Sequence, residues 1–69
     1  MTLEELRKSV PMSVQELATA AGISNQTIRN AEEGQRISVQ SARGIAQALS
    51  EALGRTIRVQ DIDGLQVRY

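Results

Sequence analysis

The sequence predicts an all-α domain: four to five short helices around one aliphatic core, followed by a short extended tail over residues 55–69. Three observations predict it. A Ser or Thr stands three residues ahead of Glu at Thr2–Glu5 and Ser13–Glu16, the spacing at which the start of a helix caps itself reciprocally. Apolar residues recur at three- and four-residue steps, most regularly between Val39 and Leu53. Glycine follows these periodic stretches at Gly22, Gly34 and Gly54, where a helix is expected to stop. At 69 residues, the whole chain is expected to be one domain, near the size at which a single core only just suffices.

The first helix is expected over about Leu3–Ser9, with Leu3 and Leu6 on one face and Val10 continuing it. Pro11 ends it, because proline pushes the preceding residue away from helical angles. The second helix starts at Val14 after the Ser13 cap, and its apolar face is Val14, Leu17, Ala18 and Ala21. Gly22 closes it in a position favouring left-handed backbone angles, which glycine adopts at little cost. Ser24 caps the third helix, which runs to about Glu33 and stops at Gly34. Ser38 opens the fourth, whose stripe is Val39, Ala42, Ile45, Ala46, Leu49, Ala52 and Leu53. Gly44 inside that helix costs about 1 kcal/mol relative to alanine, so it marks a close helix crossing that leaves no room for a side chain.

The tail carries mixed signals. Val59–Ile62 fits one helical turn, yet Ile57 and Val59, then Leu65, Val67 and Tyr69, alternate with polar residues as strands do. Asp63–Gly64 between them is a turn signal. The favoured reading is a short fifth helix followed by an extended segment; a small hairpin is the alternative.

Composition excludes several classes of function. Tyr69 is the only aromatic residue, so the core must be aliphatic. Without cysteine there is no disulfide framework and no thiolate metal site, and without histidine the commonest general base is missing. An enzyme is therefore not expected, nor a cofactor, a metal or a small-molecule ligand. No apolar run approaches the roughly 18 residues of a membrane span, and no secretory signal appears at Met1, which points to a soluble cytoplasmic protein. Eight basic residues balance eight acidic ones. A net charge of zero argues against indiscriminate binding to nucleic acid. The distribution is uneven, however: Arg29, Arg36 and Arg43 fall in and after the third helix, while Glu4, Glu5, Asp61 and Asp63 lie towards the ends.

Residues 13–34, SVQELATAAGISNQTIRNAEEG, have the pattern of a helix-turn-helix. Leu17, Ile23 and Ile28 are apolar where both helices face a shared core, and Ala18 is small where they must cross closely. Asn25, Gln26, Arg29 and Asn30 then fall on the outward face of the second helix of the pair.

These residues resemble the Cro/C1-type helix-turn-helix family of phage repressors and bacterial regulators. The resemblance runs from about Leu3 to Ile62 and rests on Arg7, Glu16-Leu17-Ala18, Gly22-Ile23-Ser24, Thr27-Ile28, Glu32-Glu33-Gly34 and Ile45-Ala46-Gln47-Ala48-Leu49. Val14 stands where many relatives carry a phosphate-touching glutamine, and the connection between the third and fourth helices is about one residue shorter than usual. The resemblance implies a lambda-repressor-like fold, a structural ion pair between Arg7 and Glu32, and a symmetric homodimer on a palindromic or half-palindromic site.

The function expected is sequence-specific binding of double-stranded DNA by a repressor-like transcriptional regulator, with the third helix in the major groove. Asn25 and Gln26 can each make bidentate amide contacts to adenine, and Asn30 lies one turn beyond Gln26 on the same face. Arg29 suits either guanine or a phosphate. Phosphate contacts are expected from Ser13, Ser24, Thr27, Gln35, Arg36, Ser38 and Arg43, with Arg36 the strongest candidate and Arg43 alternatively a solvated helix charge. Leu53, Ile57, Ile62, Leu65, Val67 and Tyr69 are candidate dimer contacts, or else close the monomer's own core. Two other readings stay open: a protein-interaction module on the same fold, and the DNA-binding part of a longer regulator.

Overall fold

In the computed structural model, which describes residues 1–68, each capping signal starts a helix where the sequence places it. Helix α1 (Leu3–Ser9) begins with a reciprocal cap: Glu5 N–H donates to Thr2 Oγ1 at 3.2 Å, and Thr2 N–H donates to Glu5 Oε1 at 2.8 Å. Helix α2 (Val14–Ala21) repeats the device with Ser13 and Glu16 at 3.1 and 2.9 Å. Helix α3 (Asn25–Glu32) is capped by Ser24 Oγ, which accepts from Thr27 N–H at 3.1 Å. Helix α4 (Val39–Leu53) is capped by Ser38 Oγ, which accepts from Ser41 N–H at 3.2 Å. Each cap satisfies a helix-start donor that has no partner within its own helix.

Two glycines set how these helices meet. Gly22 adopts φ 73°, and the Ile23 N–H reaches back to the Ala18 carbonyl at 2.9 Å, closing α2 with a left-handed turn that redirects the chain into α3. Gly44 lies where α4 crosses α2: a Cβ there would stand 2.7 Å from the Ala21 carbonyl oxygen. Beneath them, Leu17, Ile28, Ile45 and Leu49 are fully buried at the centre of one aliphatic cluster drawn from all four helices. In α4 the buried face takes Ala48, whereas Ala52 is exposed.

The tail is where structure and expectation differ most. The short fifth helix is a single 3-10 turn, Val59–Asp61, and the extended segment that follows is strand β2 (Gln66–Arg68). The alternative hairpin does not form. Strand β2 pairs instead with β1 (Arg36–Ser38), in the connection between α3 and α4, and the two run parallel in the register Arg36–Gln66, Ile37–Val67, Ser38–Arg68. Parallel strands need a long crossover, and α4 supplies it. Thr2 makes a further parallel bridge with Asp63, whose carboxylate accepts from the Met1 ammonium group at 2.9 Å.

This path covers the end of α4. The Ile57 N–H donates to Ser50 Oγ at 2.7 Å, anchoring the segment that buries Ile57 and, further along, Ile62. Those two residues were candidate dimer contacts; only 5% and 4% of their surface is exposed, so they close the monomer's core and offer nothing to a second copy. Leu53, Leu65 and Val67 are half-buried against the same cluster. Tyr69 lies outside the described residues.

Candidate nucleic-acid interface

The outward side of α3 stands clear of the rest of the chain. Ile28 and Ala31 turn inward and are buried, which leaves Asn25, Gln26 and Arg29 exposed and Asn30 half-exposed. Gln26 Nε2 donates to Asn30 Oδ1 at 2.9 Å, so the two amides are aligned one turn apart. That bond leaves an amide hydrogen on Gln26 and the whole amino group of Asn30 still able to donate, and both carbonyl oxygens able to accept. An exposed row with both donors and acceptors is what a base edge in the major groove requires.

The N-terminal ends of α3 and α4 differ electrostatically from those of α1 and α2. Carboxylates occupy the first turns of α1 (Glu4, Glu5) and α2 (Glu16), as a helix dipole favours. The first turns of α3 and α4 contain no acid at all. Their positive ends are therefore uncompensated by carboxylate, a condition that suits a phosphate oxygen. Hydroxyls stand at both: Ser24 Oγ and Thr27 Oγ1 are 2.8 Å apart at the start of α3, and Ser38 Oγ lies 3.0 Å from Ser41 Oγ at the start of α4.

The basic residues divide in a way the net charge hides. Lys8 pairs with Glu4 at 2.8 Å and Arg7 with Glu32 at 2.6 Å. Among the described residues, no carboxylate pairs with Arg29, Arg36, Arg43, Arg55, Arg58 or Arg68, all six are exposed, and the first three with Arg68 lie on α3, α4 or the strand pair. Four of the eight acidic residues, Glu4, Glu32, Glu33 and Asp63, line a depression between α1, the end of α3 and the Asp63 turn. Gln35, expected as a phosphate ligand, is exposed and donates to Glu33 Oε2 at 3.4 Å, a weak contact that leaves it available. Ser13 is exposed too, but at the start of α2, apart from the α3–β1–α4 group. Val14 packs half-buried on the core, so the exposed amide at that end of α2 belongs to Gln15.

The Arg7–Glu32 contact ties α1 to the end of α3. Arg7 Nε and a second guanidinium nitrogen donate to the two Glu32 carboxylate oxygens at 2.6 and 3.2 Å, and Arg7 Nη1 also donates to the Met12 carbonyl at 2.9 Å. The hydrogen bond to Glu32 pushes the Arg7 guanidinium above its already high ordinary value, against the opposing effect of burial. A two-pronged pair of this kind fixes orientation as well as distance, so it holds the exposed face of α3 at a set angle.

Sequence reasoning gave Arg68 no role, and no local signal could have supplied one. Its position follows from a strand pairing between residues thirty apart in the chain, Ser38 and Arg68. Gln40 is likewise exposed in the first turn of α4, two residues beyond the Ser38 cap, a position that the cap spacing alone could have flagged.

A family model described as helix-turn-helix matches residues 3–59 of the chain. No curated protein and no solved structure matches it significantly.

Proposed function

The chain belongs to the Cro/C1-type helix-turn-helix family, a DNA-binding family, and on that premise we propose that it is a repressor-like transcriptional regulator reading a specific duplex through α3. The observation that carries this reading is the exposed row of Asn25, Gln26, Arg29 and half-exposed Asn30, bordered by arginines that pair with no carboxylate among the described residues. In the proposed complex α3 lies in the major groove and α2 crosses the backbone. Gln26 and Asn30 address base edges. Arg29 and Arg36 hold the flanking strand, and the start of α4, with Ser38 and Arg43, takes a further phosphate.

One such domain covers little DNA, so the reading includes a symmetric homodimer on two half-sites. Of the candidate dimer contacts among the described residues, Leu53, Leu65 and Val67 are still partly exposed for it. Sedimentation at high concentration is expected to show a dimer, and a monomer there removes that part of the proposal.

Direct titration of labelled duplex tests the function. Binding is expected to fall steeply with salt, because basic contacts to phosphates release counterions. Unlabelled duplex should compete for it. Absence of salt-sensitive binding to any duplex refutes the proposal.

A further inference from the structure

The parallel pairing of β2 with β1 has a directional consequence. Strand β1 runs from Arg36 towards Ser38, which caps α4. A parallel partner must run the same way, so β2 delivers its last residue, Arg68, alongside Ser38 at the start of α4. Neighbouring strands lie about 4.8 Å apart, so the Arg68 backbone sits immediately beside the residue that opens α4. An antiparallel tail would have carried Arg68 to the opposite end of β1, towards Gln35 and the acidic depression that includes Glu33 and Asp63.

The burial pattern fixes which side of this ladder is inward. Ile37 is buried and its partner Val67 half-buried, whereas Arg36, Gln66 and Arg68 are exposed. Alternation along each strand therefore groups Arg36, Ser38, Gln66 and Arg68 on the outer face. No acidic residue belongs to either strand, and none stands in the first turn of α4. The result is a small face of two arginines, an amide and a hydroxyl, joining the end of α3 to the start of α4.

We propose that this ladder is a second backbone-gripping element, in which Arg68 contacts a DNA phosphate beside the one taken at the start of α4. The proposal rests on the duplex-binding reading above and extends it to a strand outside the helix-turn-helix, beyond the residues 3–59 that the family model covers. Arg68 is here a phosphate contact that carries no base information. Its effect belongs in overall affinity and in salt dependence, not in sequence preference.

The test compares wild type, Arg68→Ala, Arg68→Lys and Arg55→Ala on a short labelled duplex of mixed sequence, titrated across a salt series, with thermal melts of each protein. Arg55 follows α4 at its far end, about 22 Å along the helix from Ser38, and serves as a control for loss of one charge. Arg68→Ala is expected to weaken binding and lower the slope of log affinity against log salt by about 0.9, which shrinks the loss between ~50 and ~200 mM salt about threefold. Arg68→Lys should restore the slope, Arg55→Ala should leave it as in wild type, and all melting temperatures should agree. A wild-type slope in Arg68→Ala, or an equal fall in Arg55→Ala, overturns the ladder proposal while leaving duplex binding by α3 intact. If wild type shows no salt-dependent binding at all, the function proposal falls, and this one with it.

Discussion

Replacing Glu32 by alanine removes the anchor that sets α3 against α1. Arg7 and Glu32 meet through two hydrogen bonds at 2.6 and 3.2 Å, with only 11% and 14% of their side-chain surfaces exposed. Breaking such a pair from one side strands the other charge in a poorly solvated site, typically at a cost of about 3–5 kcal/mol. The residual exposure, and the bond Arg7 keeps to the Met12 carbonyl, place this case near the lower end. A domain of 69 residues has roughly 3–10 kcal/mol of stability in all, so a loss of about 3 kcal/mol is a large share of it. Each kcal/mol shifts the melting temperature of a domain this size by about 4–8 °C, so Glu32→Ala should melt about 12–24 °C below wild type. Glu33→Ala supplies the comparison: the neighbouring carboxylate is exposed and, among the described residues, takes one side-chain hydrogen bond, from Gln35 at 3.4 Å, so its loss should shift the melt by less than about 4 °C. Thermal unfolding followed by circular dichroism reads both. Equal melting temperatures for the two variants refute the reasoning. Replacing both partners together by apolar residues of similar size, Arg7→Met with Glu32→Leu, should recover much of the loss, because no buried charge is then left alone.

Gly44→Ala should destabilise the fold by about 1–3 kcal/mol: the new methyl would stand 2.7 Å from the Ala21 backbone oxygen, and overpacking at a helix crossing outweighs the gain of about 1 kcal/mol that alanine brings to an exposed helix position. A melting temperature above wild type contradicts this. Arg36→Ala should weaken binding about equally on all duplexes and lower the salt slope by roughly one, measured by titration at several salt concentrations. The Thr2 backbone N–H first, and the Thr2 hydroxyl second, hold the exposed Glu5 carboxyl below its ordinary value, so this cap stabilises the fold above the unfolded-state value and is lost as pH falls through the depressed folded one. Thr2→Ala keeps the backbone N–H and loses only the hydroxyl, so an NMR titration should show the Glu5 midpoint move part of the way up and stay below the ordinary carboxylate value; a wild-type midpoint at the ordinary value contradicts the assignment.

The helices were legible because their signals are local. Thr2, Ser13, Ser24 and Ser38 each act within three residues of themselves, and Gly22 closes α2 through bonds to the turn just before it. The amide-bearing face of α3 follows from the same periodicity that buries Ile28 and Ala31. The strand pair was not legible. Each strand is three residues long, too short to show alternation above chance, and its partner lies across the whole of α4. An alternating tail announces a strand without saying which edge it will join. Ile57 and Ile62 illustrate the same limit: apolar residues beyond a four-helix core can serve either a partner or the fold itself, and here the anchor on Ser50 draws the segment inward.

Selection of bound sequences from a random duplex pool, run in parallel for wild type and Gln26→Ala, tests the central claim most directly. Gln26 is exposed and serves no buried contact, so the variant should keep its fold and its salt dependence. Wild type is expected to return a symmetric preferred site, and the variant the same site with preference relaxed at one position in each half. Identical preferences from the two proteins contradict the assignment of base reading to this face of α3.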